Sequence, residues 1–290
     1  MTPTTSHDRP TPRVLVIGAS GNTGRRISER LAASGVLVRA ATRSRQAPEG
    51  AAEQVRFDWS DASTHGPALQ GVDRMYLIAP AAVEDPDSIM LPFIDEALAR
   101  GVRRVVLLSS SAIPEGAPGL GTVHQALRER APEWTVLQPS WFMQNLLGTH
   151  HLHGKSLEEH GTVTTATGDG RVGFVDVLDI AEVAARALAD AQPHDTAHHL
   201  TGPEALSYDD IASILTRATG QPKRHVRVSR DDSARLMVEG GIPERYAALL
   251  ARMEDAIAHG AEARLTPTVE RVTGRPPRSF QALVRASLQR

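Results

Sequence analysis

Cysteine is absent from this chain of 290 residues. Disulfide bonds, thiol nucleophiles and cysteine-ligated metals are therefore excluded. Aromatic residues make up only 4% of the chain, and no stretch approaches the roughly 18 apolar residues of a membrane span. The opening segment MTPTTSHDRPTPR lacks the apolar region of a secretory signal. These absences predict a cytoplasmic protein with no membrane partner.

Charge of either sign is not in excess, because 32 Lys and Arg stand against 34 Asp and Glu, for a formal net charge of −2. No block of the sequence is rich in Lys and Arg. Since nucleic acids bind clustered cations, we predict no nucleic-acid partner. The hydrophobic content of 41% is enough for a full core in one large domain, or in one domain with a smaller lobe.

Short β-branched segments alternate with segments of helical spacing over most of the chain. Predicted strands lie at 14–17, 36–41, 55–57, 75–78, 105–109 and 134–137. Between them, apolar residues recur three or four positions apart, as at Ile27 and Leu31, and a later helix is predicted at Asp179–Ala189. This alternation is typical of an α/β fold: a Rossmann-type doubly wound parallel sheet with helices on both faces.

The pattern also predicts a division of the chain. Residues 1–12, rich in Thr and Pro, are predicted to be a disordered tail. A Rossmann domain is predicted at 13–150 and is completed by about 172–190. Segments 151–171 and 191–290 are predicted to form a smaller, mostly helical lobe that binds the substrate.

The segment VIGASGNTGRR places Gly18, Gly21 and Gly24 between a predicted strand and a predicted helix. Glycines at these positions allow a tight turn, a close approach of the backbone to a pyrophosphate, and close packing of the helix on the strand. The N-terminus of the helix adds free N–H groups and a partial positive charge. The segment therefore predicts a dinucleotide site.

The end of the second predicted strand indicates which dinucleotide binds. Sites for NAD usually place Asp or Glu there to bind the ribose 2′-hydroxyl, whereas this chain reads RAATRSR. Arg43 follows Gly24 at the expected distance and is suited to a 2′-phosphate. The alternative is that Arg43 and Arg45 are solvated loop cations. We predict NADPH (NADP) as the cofactor.

Several segments of the chain resemble one family. They are GASGNTG, VVLLSSS, LQPSWFMQN, FVDVLDIAEVAARAL and LTGPEALSYDDIASILTRATG. Together they resemble the NmrA-like atypical short-chain dehydrogenase/reductase family. The WFM and VTGRPPRSF segments are similar to its ergot-alkaloid reductase branch, the festuclavine dehydrogenase type. The resemblance implies a Rossmann fold that binds NAD(P)(H) and a substrate cleft between the sheet and the C-terminal lobe.

The resemblance, with the glycine turn, also implies which residues face the ligands. Those expected along the cofactor are Gly18, Ser20, Gly21, Asn22, Thr23, Gly24, Arg43, Asp58, Ala79, Ser109 and Pro139. Those expected in the substrate pocket are Ser111, Trp141 and Phe142, with Pro139–Phe142 near the nicotinamide. One departure is Gln138, because many members of the family have Arg before this proline. The hydrogen bonding behind the loop is therefore an open question.

The catalytic residues of conventional short-chain reductases are only partly present. Those enzymes follow a Ser at the end of the fifth strand with Tyr-x-x-x-Lys, whose phenol protonates a carbonyl oxygen as hydride arrives. Here Ser111 is followed by His124 and Arg128 at the Tyr and Lys places. An iminium ion needs no such proton, because hydride alone converts it to a neutral amine. The replacement favours an imine or iminium substrate.

Two residues are candidates for a catalytic role. An unperturbed imidazole titrates near neutral pH, so His124 is either an acid or polar anchor in the site, or a histidine of a loop or helix surface. Tyr76 either walls the pocket and donates a hydrogen bond, or is a core tyrosine with a satisfied hydroxyl. The sequence leaves both pairs of alternatives open.

Helix ends account for several polar residues toward the C-terminus. Ser207 with Asp210 predicts an N-cap, and Gly220 predicts a stop. Asp176 and Asp179, in FVDVLD, resemble paired catalytic carboxylates. We instead predict that Asp179 caps a helix and that Asp176 binds backbone.

A histidine-rich tract, THHLHGKSLEEH, raises the question of a metal site. Its candidate ligands are His150, His151, His153, Glu158, Glu159 and His160. Their spacing matches no metal motif such as H-E-x-x-H, so no metal is predicted. We predict instead a mobile loop after FMQNL that could act as a lid. A G-x-S-x-G elbow is also missing, which argues against a hydrolase.

These observations favour an NADPH-dependent reductase. Its expected substrate is a small hydrophobic imine, iminium or conjugated carbonyl compound, held over Trp141 and Phe142, and a role in secondary metabolism is expected. Two alternatives remain: a non-catalytic NADP(H)-binding regulator or redox sensor, and a quinone reductase. The sequence gives no indication of oligomeric state.

Overall fold

The computed structural model describes residues 11–43, 49–81, 83 and 85–289. Within them the strands, in chain order, are β1 Arg13–Ile17, β2 Leu37–Thr42, β3 Glu53–Arg56, β4 Arg74–Ile78, β5 Arg104–Leu108, β6 Glu133–Pro139, β7 Thr162–Thr165, β8 Thr196–Leu200 and β9 Arg224–Arg227. The α-helices are α1 Asn22–Ala33, α2 His65–Leu69, α3 Asp87–Ala99, α4 Leu120–Arg130, α5 Leu152–His160, α6 Val177–Ala189, α7 Tyr208–Thr219, α8 Arg230–Glu239, α9 Glu244–Ala258, α10 Thr268–Thr273 and α11 Phe280–Leu288.

The large sheet has the strand order β3-β2-β1-β4-β5-β6-β8, and every neighbouring pair is parallel. The order reverses between β1 and β4, so the carboxyl ends of both strands open onto a crevice. The predicted doubly wound Rossmann-type fold is confirmed. A two-stranded parallel sheet, β7 with β9, lies in the C-terminal part of the chain.

The inner strands are apolar on both faces because both faces are covered by helices. In β5, Val106 packs into a core with side chains of α1 and α6, whereas Val105 and Leu107 pack into a second core with side chains of α3 and α4. This explains why β5 reads as a continuous apolar run rather than an alternating one. Among the described residues, none of the helices has the length and apolar character needed to cross a membrane.

The C-terminal lobe has its own core. It contains Met143, Leu157, Phe174, Tyr208 and Phe280, among other residues. The predicted boundary of this lobe needs one correction. Residues 196–200 form the last strand of the large sheet, because β8 pairs with β6 and its Leu200 is buried in the core shared with α6. Most of the predicted tail, residues 1–10, lies outside the described residues.

The predicted mobile loop after FMQNL is wrong. A short 3₁₀ turn at Met143–Leu146 is followed by α5, in which His153 and Leu157 are buried. These two residues are four positions apart, so they lie on the same face of the helix. The Nδ1 atom of His151 accepts a hydrogen bond from the His153 N–H, which caps the helix.

The predicted roles of the two aspartates are exchanged. Asp176 caps α6, with its carboxylate accepting from the Leu178 N–H at 2.8 Å. Asp179 lies in the first turn and accepts from the Arg278 N–H at 2.8 Å, which ties the C-terminal segment to α6. Burial raises the pKa of Asp179 to about 6. Carboxylates one turn apart can both reach the free N–H groups at a helix N-terminus. Here Asp179 instead binds the distant Arg278 N–H, and Asp176 caps the helix.

Candidate functional site

The glycine turn connects β1 to α1 as predicted. Gly18 has a φ of 70°, a left-handed conformation that suits glycine, and its N–H donates to Ala41 O. A Cβ on Gly24 would lie 2.3 Å from Gly18 O, so a side chain there would force the helix off the turn. A Cβ on Gly21 would meet only Gly18 O, at 3.2 Å, so Gly21 leaves open the space in front of the turn.

The N-terminus of α1 is left free for an anion. Gly21 is its N-cap residue and provides no side-chain cap, and no acidic residue lies in the first turn. By contrast, α7 begins with a full capping box of Ser207 and Asp210. The first N–H groups of α1 and its partial positive charge are therefore available to phosphates. This arrangement fits the pyrophosphate of a dinucleotide.

The other predicted cofactor residues follow the carboxyl ends of neighbouring strands. Arg43 follows β2, Asp58 follows β3, Ala79 follows β4, Ser109 follows β5, and Pro139 ends β6. Because the strands are parallel, these positions share one edge of the sheet with the glycine turn. The fold brings them together as the sequence predicts, although their contact with a cofactor stays a prediction.

Two of these residues have features that suit a polar ligand. The Arg43 side chain is exposed, and its charge helps the Ser60 hydroxyl and N–H to hold the pKa of Asp58 below its usual range. The buried Ser109 hydroxyl has no hydrogen-bond partner among the described residues. A buried hydroxyl without a partner is costly, and a bound ligand would supply one. Arg45 lies outside the described residues.

Two adjoining cavities open beside the ends of β5 and β6. The larger, of about 560 Å³, is lined by Ser111, Pro114, Glu115, His124, Gln138, Ala197, His199, Thr201, Ala261, Glu262 and Arg264. The smaller, of about 320 Å³, is lined by Ser111, Ala112, Trp141, Arg252, Met253, Ala256, Ala261 and Glu262. Ser111, Ala261 and Glu262 line both cavities, so Glu262 lies where they meet.

Glu262 is a site residue that sequence reasoning missed. Its Oε2 atom accepts hydrogen bonds from the hydroxyls of Ser111, at 2.8 Å, and Ser140, at 2.9 Å. Both hydroxyls therefore donate to the same carboxylate oxygen. The side chain is only 9% exposed, and it forms no ion pair with any described residue. No motif marks Glu262, because its partners lie more than a hundred positions earlier in the chain.

His124 is buried in α4 and lines the larger cavity. The alternative of a surface histidine is therefore wrong. Neither ring nitrogen has a hydrogen-bond partner in the part of the chain that the structure describes, and Nε2 lies 3.9 Å from a Glu115 carboxylate oxygen. Burial lowers the pKa of His124, with Glu115 acting in the opposite direction. The imidazole is therefore neutral at pH 7.

Arg128, at the place of the lysine of conventional short-chain reductases, forms an ion pair with Glu115 at 3.1 Å. Tyr76 lies in the core beneath the glycine turn, where its hydroxyl donates to Thr23 Oγ1 at 3.0 Å. Burial raises the pKa of Tyr76 above its usual value. Tyr76 lines neither cavity, so its position matches a core tyrosine with a satisfied hydroxyl.

The two predicted aromatic pocket residues have different environments. Trp141 lines the smaller cavity. Phe142 is partly buried against the core shared with α1 and α6 and lines neither of these two cavities, so its contact with a substrate stays a prediction. The backbone of Phe142 pairs with that of Val175 just after β6. This pairing holds the Phe142 side chain against the core to which Val175 belongs. Gln138, where many members of the family have Arg, makes a hydrogen bond behind the loop. Its side-chain amide donates to Ile113 O at 3.0 Å.

The histidine-rich tract does not form a cluster around one point. His150 and His160 are exposed, His151 caps α5, and His153 is buried, where burial lowers its pKa to about 3. Across the described residues, no group of three or more His, Asp or Glu side chains is arranged to hold a metal ion.

Known proteins resemble this chain over most of its length. The NmrA-like family matches residues 10–274. The chain is 47% identical over 273 residues to the uncharacterized oxidoreductase YesF of Bacillus subtilis, covering 94% of each. It is 35% identical over 278 residues to agroclavine dehydrogenase of Claviceps fusiformis, covering 93% of this chain and 96% of the relative.

Among solved structures, the NADPH-dependent quinone oxidoreductase of Escherichia coli in complex with NADPH has the same fold. Its TM-score is 0.79 at 23% identity, and the match covers 96% of this chain and 100% of that one. The family resemblance carried by the glycine turn and the later segments is thus confirmed, and the chain belongs to the NmrA-like family.

Proposed function

We propose that this chain is an NADPH-dependent oxidoreductase that transfers hydride to the carbon of an imine or iminium group. The observation that carries the choice of substrate is the Glu262 carboxylate, which lies between the two cavities and has no cationic partner among the described residues. When bound, NADPH supplies the hydride. The names of the relatives, an oxidoreductase and agroclavine dehydrogenase, support a redox reaction.

The cofactor part of the proposal depends on the glycine turn and the strand ends. The free N-terminus of α1 would bind the pyrophosphate, and Arg43 would bind the 2′-phosphate. The partnerless Ser109 hydroxyl and the Pro139 segment would lie along the nicotinamide half. A relative named NAD(P)H azoreductase, 30% identical over 282 residues, supports a nicotinamide cofactor.

The charge of Glu262 favours a cation over a carbonyl compound. Ser111 lies two positions after Ser109, and Ser140 directly follows Pro139, so the carboxylate that both serines bind lies beside the predicted nicotinamide site. Opposite unit charges about 4 Å apart attract by roughly 4 kcal/mol near a protein surface, and an alkoxide at the same place would be repelled by a similar amount. Glu262 would also hold an imine in its protonated, electrophilic form.

Neither of the two candidate acids, His124 and Tyr76, is suited to protonate a substrate, which is consistent with this choice. His124 is neutral at pH 7 because burial lowers its pKa, and a neutral imidazole is a poor proton donor. The Tyr76 hydroxyl is already donated to Thr23 in the core. An iminium ion needs neither residue as an acid, because it accepts hydride without a proton.

The test compares a permanent cation with a neutral acceptor. We expect the wild type to consume NADPH with N-methyl-dihydroisoquinolinium, and Glu262→Gln to raise KM for this cation roughly tenfold, or about 1.4 kcal/mol. The effect should fall on KM rather than kcat, because the substrate loses its charge during hydride transfer. For a naphthoquinone, Glu262→Gln should leave kcat/KM unchanged or raise it.

Glu115→Gln is the matched control, because Glu115 lines the larger cavity but already pairs with Arg128. We expect it to change KM for the cation by less than about twofold. A wild type that reduces quinones but no iminium ion would identify a quinone reductase. A wild type that binds NADPH and reduces neither would identify a non-catalytic regulator.

A further inference from the structure

The larger cavity contains a positive end as well as the negative Glu262. Arg264 follows Glu262 by two positions, lines only the larger cavity, and forms no ion pair with any described residue. The two side chains do not pair with each other, although they line the same cavity. An unpaired anion and an unpaired cation on one cavity match a ligand that carries both charges.

Two neutral histidines lie with Arg264 in this cavity. His124 is 3% exposed and has no partner on either ring nitrogen, and His199 has none on Nδ1, counting only the described residues. The charge of Arg264 contributes to lowering the pKa of His199, after burial, so the guanidinium lies near this ring. Buried polar atoms without partners are rare in folded proteins, and a ligand with hydrogen-bonding oxygens would satisfy them.

The smaller cavity has a different character. Trp141, Met253 and Ala256 give it apolar walls, and its own cation, Arg252, has no partnerless histidine beside it. This cavity therefore suits a hydrocarbon ring, while the Arg264 end of the larger cavity suits an anionic group. Arginine is well matched to a carboxylate because its planar group donates two parallel hydrogen bonds.

We infer that the substrate is zwitterionic, a cyclic iminium compound whose carboxylate binds Arg264 and whose cationic nitrogen faces Glu262. This inference rests on the proposed function and narrows its substrate class to cyclic imino acids. The ring would lie toward Trp141, and His124 and His199 would bind the carboxylate or its neighbouring atoms as neutral hydrogen-bonding groups.

The kinetic test uses two substrates that differ by one group: dihydroisoquinoline, and the same ring with a carboxylate on the carbon beside nitrogen. We expect the wild type to have the higher kcat/KM for the acid. Arg264→Gln should lower kcat/KM for the acid roughly tenfold or more, through KM, and should change that for the parent ring by less than about twofold. Arg252→Gln is the matched control in the smaller cavity, and it should change kcat/KM for the two substrates by the same factor.

A binding measurement separates this inference from the proposed reaction. Tetrahydroisoquinoline carboxylate, which cannot accept hydride, is titrated by calorimetry into the enzyme with NADPH, so that no hydride transfer accompanies binding. Binding that weakens in Arg264→Gln but not in Arg252→Gln supports the carboxylate site, even if neither imine is reduced and the proposed reaction fails. Equal losses for acid and parent in Arg264→Gln, a wild type that prefers the parent, or a loss confined to Arg252→Gln would overturn the inference.

Discussion

The two ends of the candidate site are built in different ways. The end proposed to bind the pyrophosphate of the cofactor consists of a few consecutive residues, Gly18 to Gly24, which contribute backbone N–H groups and small size. The substrate end consists of side chains from separate parts of the chain: Ser111 after β5, His124 on α4, His199 on β8, and the segment at Glu262 and Arg264 after α9. The first is local in sequence, and the second exists only after folding.

This difference has a physical reason. A pyrophosphate is recognised by N–H groups that every residue has, so the requirement is that side chains stay out of the way. A substrate is recognised by particular charges and shapes, which must converge from several directions on one point. Variants at the cofactor end should therefore affect any substrate equally, whereas variants at the substrate end should discriminate between substrates.

The largest effect is expected from filling the glycine turn. Gly21→Val should abolish NADPH binding, a loss of roughly hundredfold or more in affinity, because a branched side chain would occupy the space in front of the turn. The backbone at Gly21 does not need glycine for its conformation, since its φ is −80°. The lobe should stay folded, as circular dichroism would show.

Isothermal titration with NADPH gives the affinity for this variant, and Gly21→Ala is its graded control. Alanine adds only a Cβ, which would lie 3.2 Å from Gly18 O. Gly21→Ala should therefore lose less affinity for NADPH than Gly21→Val. An unchanged NADPH affinity in Gly21→Val would mean that the glycines serve only the turn.

A smaller and selective effect is expected at the end of β2. Arg43→Ala should weaken NADPH binding about ten- to a hundredfold and leave NADH binding unchanged, because only NADPH has the 2′-phosphate. Paired titrations with the two cofactors measure this selectivity. Equal losses of affinity for NADPH and NADH, or tighter NADH binding by the wild type, would show that Arg43 does not bind the 2′-phosphate.

The smallest effect is expected from the two candidate acids, His124 and Tyr76. His124→Ala and Tyr76→Phe should each lower kcat for an iminium substrate by far less than the roughly 10²–10⁴-fold that follows loss of a required proton donor. Steady-state rates and their pH profiles test this. An inactive His124→Ala variant that still folds and binds NADPH would make His124 the replacement for the missing tyrosine, and it would contradict iminium reduction.

Features that depend on neighbouring residues were predictable. The parallel sheet, the glycine turn, and the Ser207 and Asp210 cap of α7 follow from apolar period, residue size and hydrogen-bonding reach within a few positions. Features that depend on packing were not. The prediction exchanged Asp176 with Asp179, assigned β8 to the lobe, and described α5 as a mobile loop.

The sequence by itself determined the fold class, the family and the position of the dinucleotide turn, because these are carried by contiguous segments. Tertiary structure alone decided that Glu262 joins Ser111 and Ser140 across more than a hundred positions of chain, and that Arg264 and His199 line the same cavity as His124. Hydrogen bonds and charges act over a few ångströms, so a residue's chemical role depends on which distant segments the fold places within that distance.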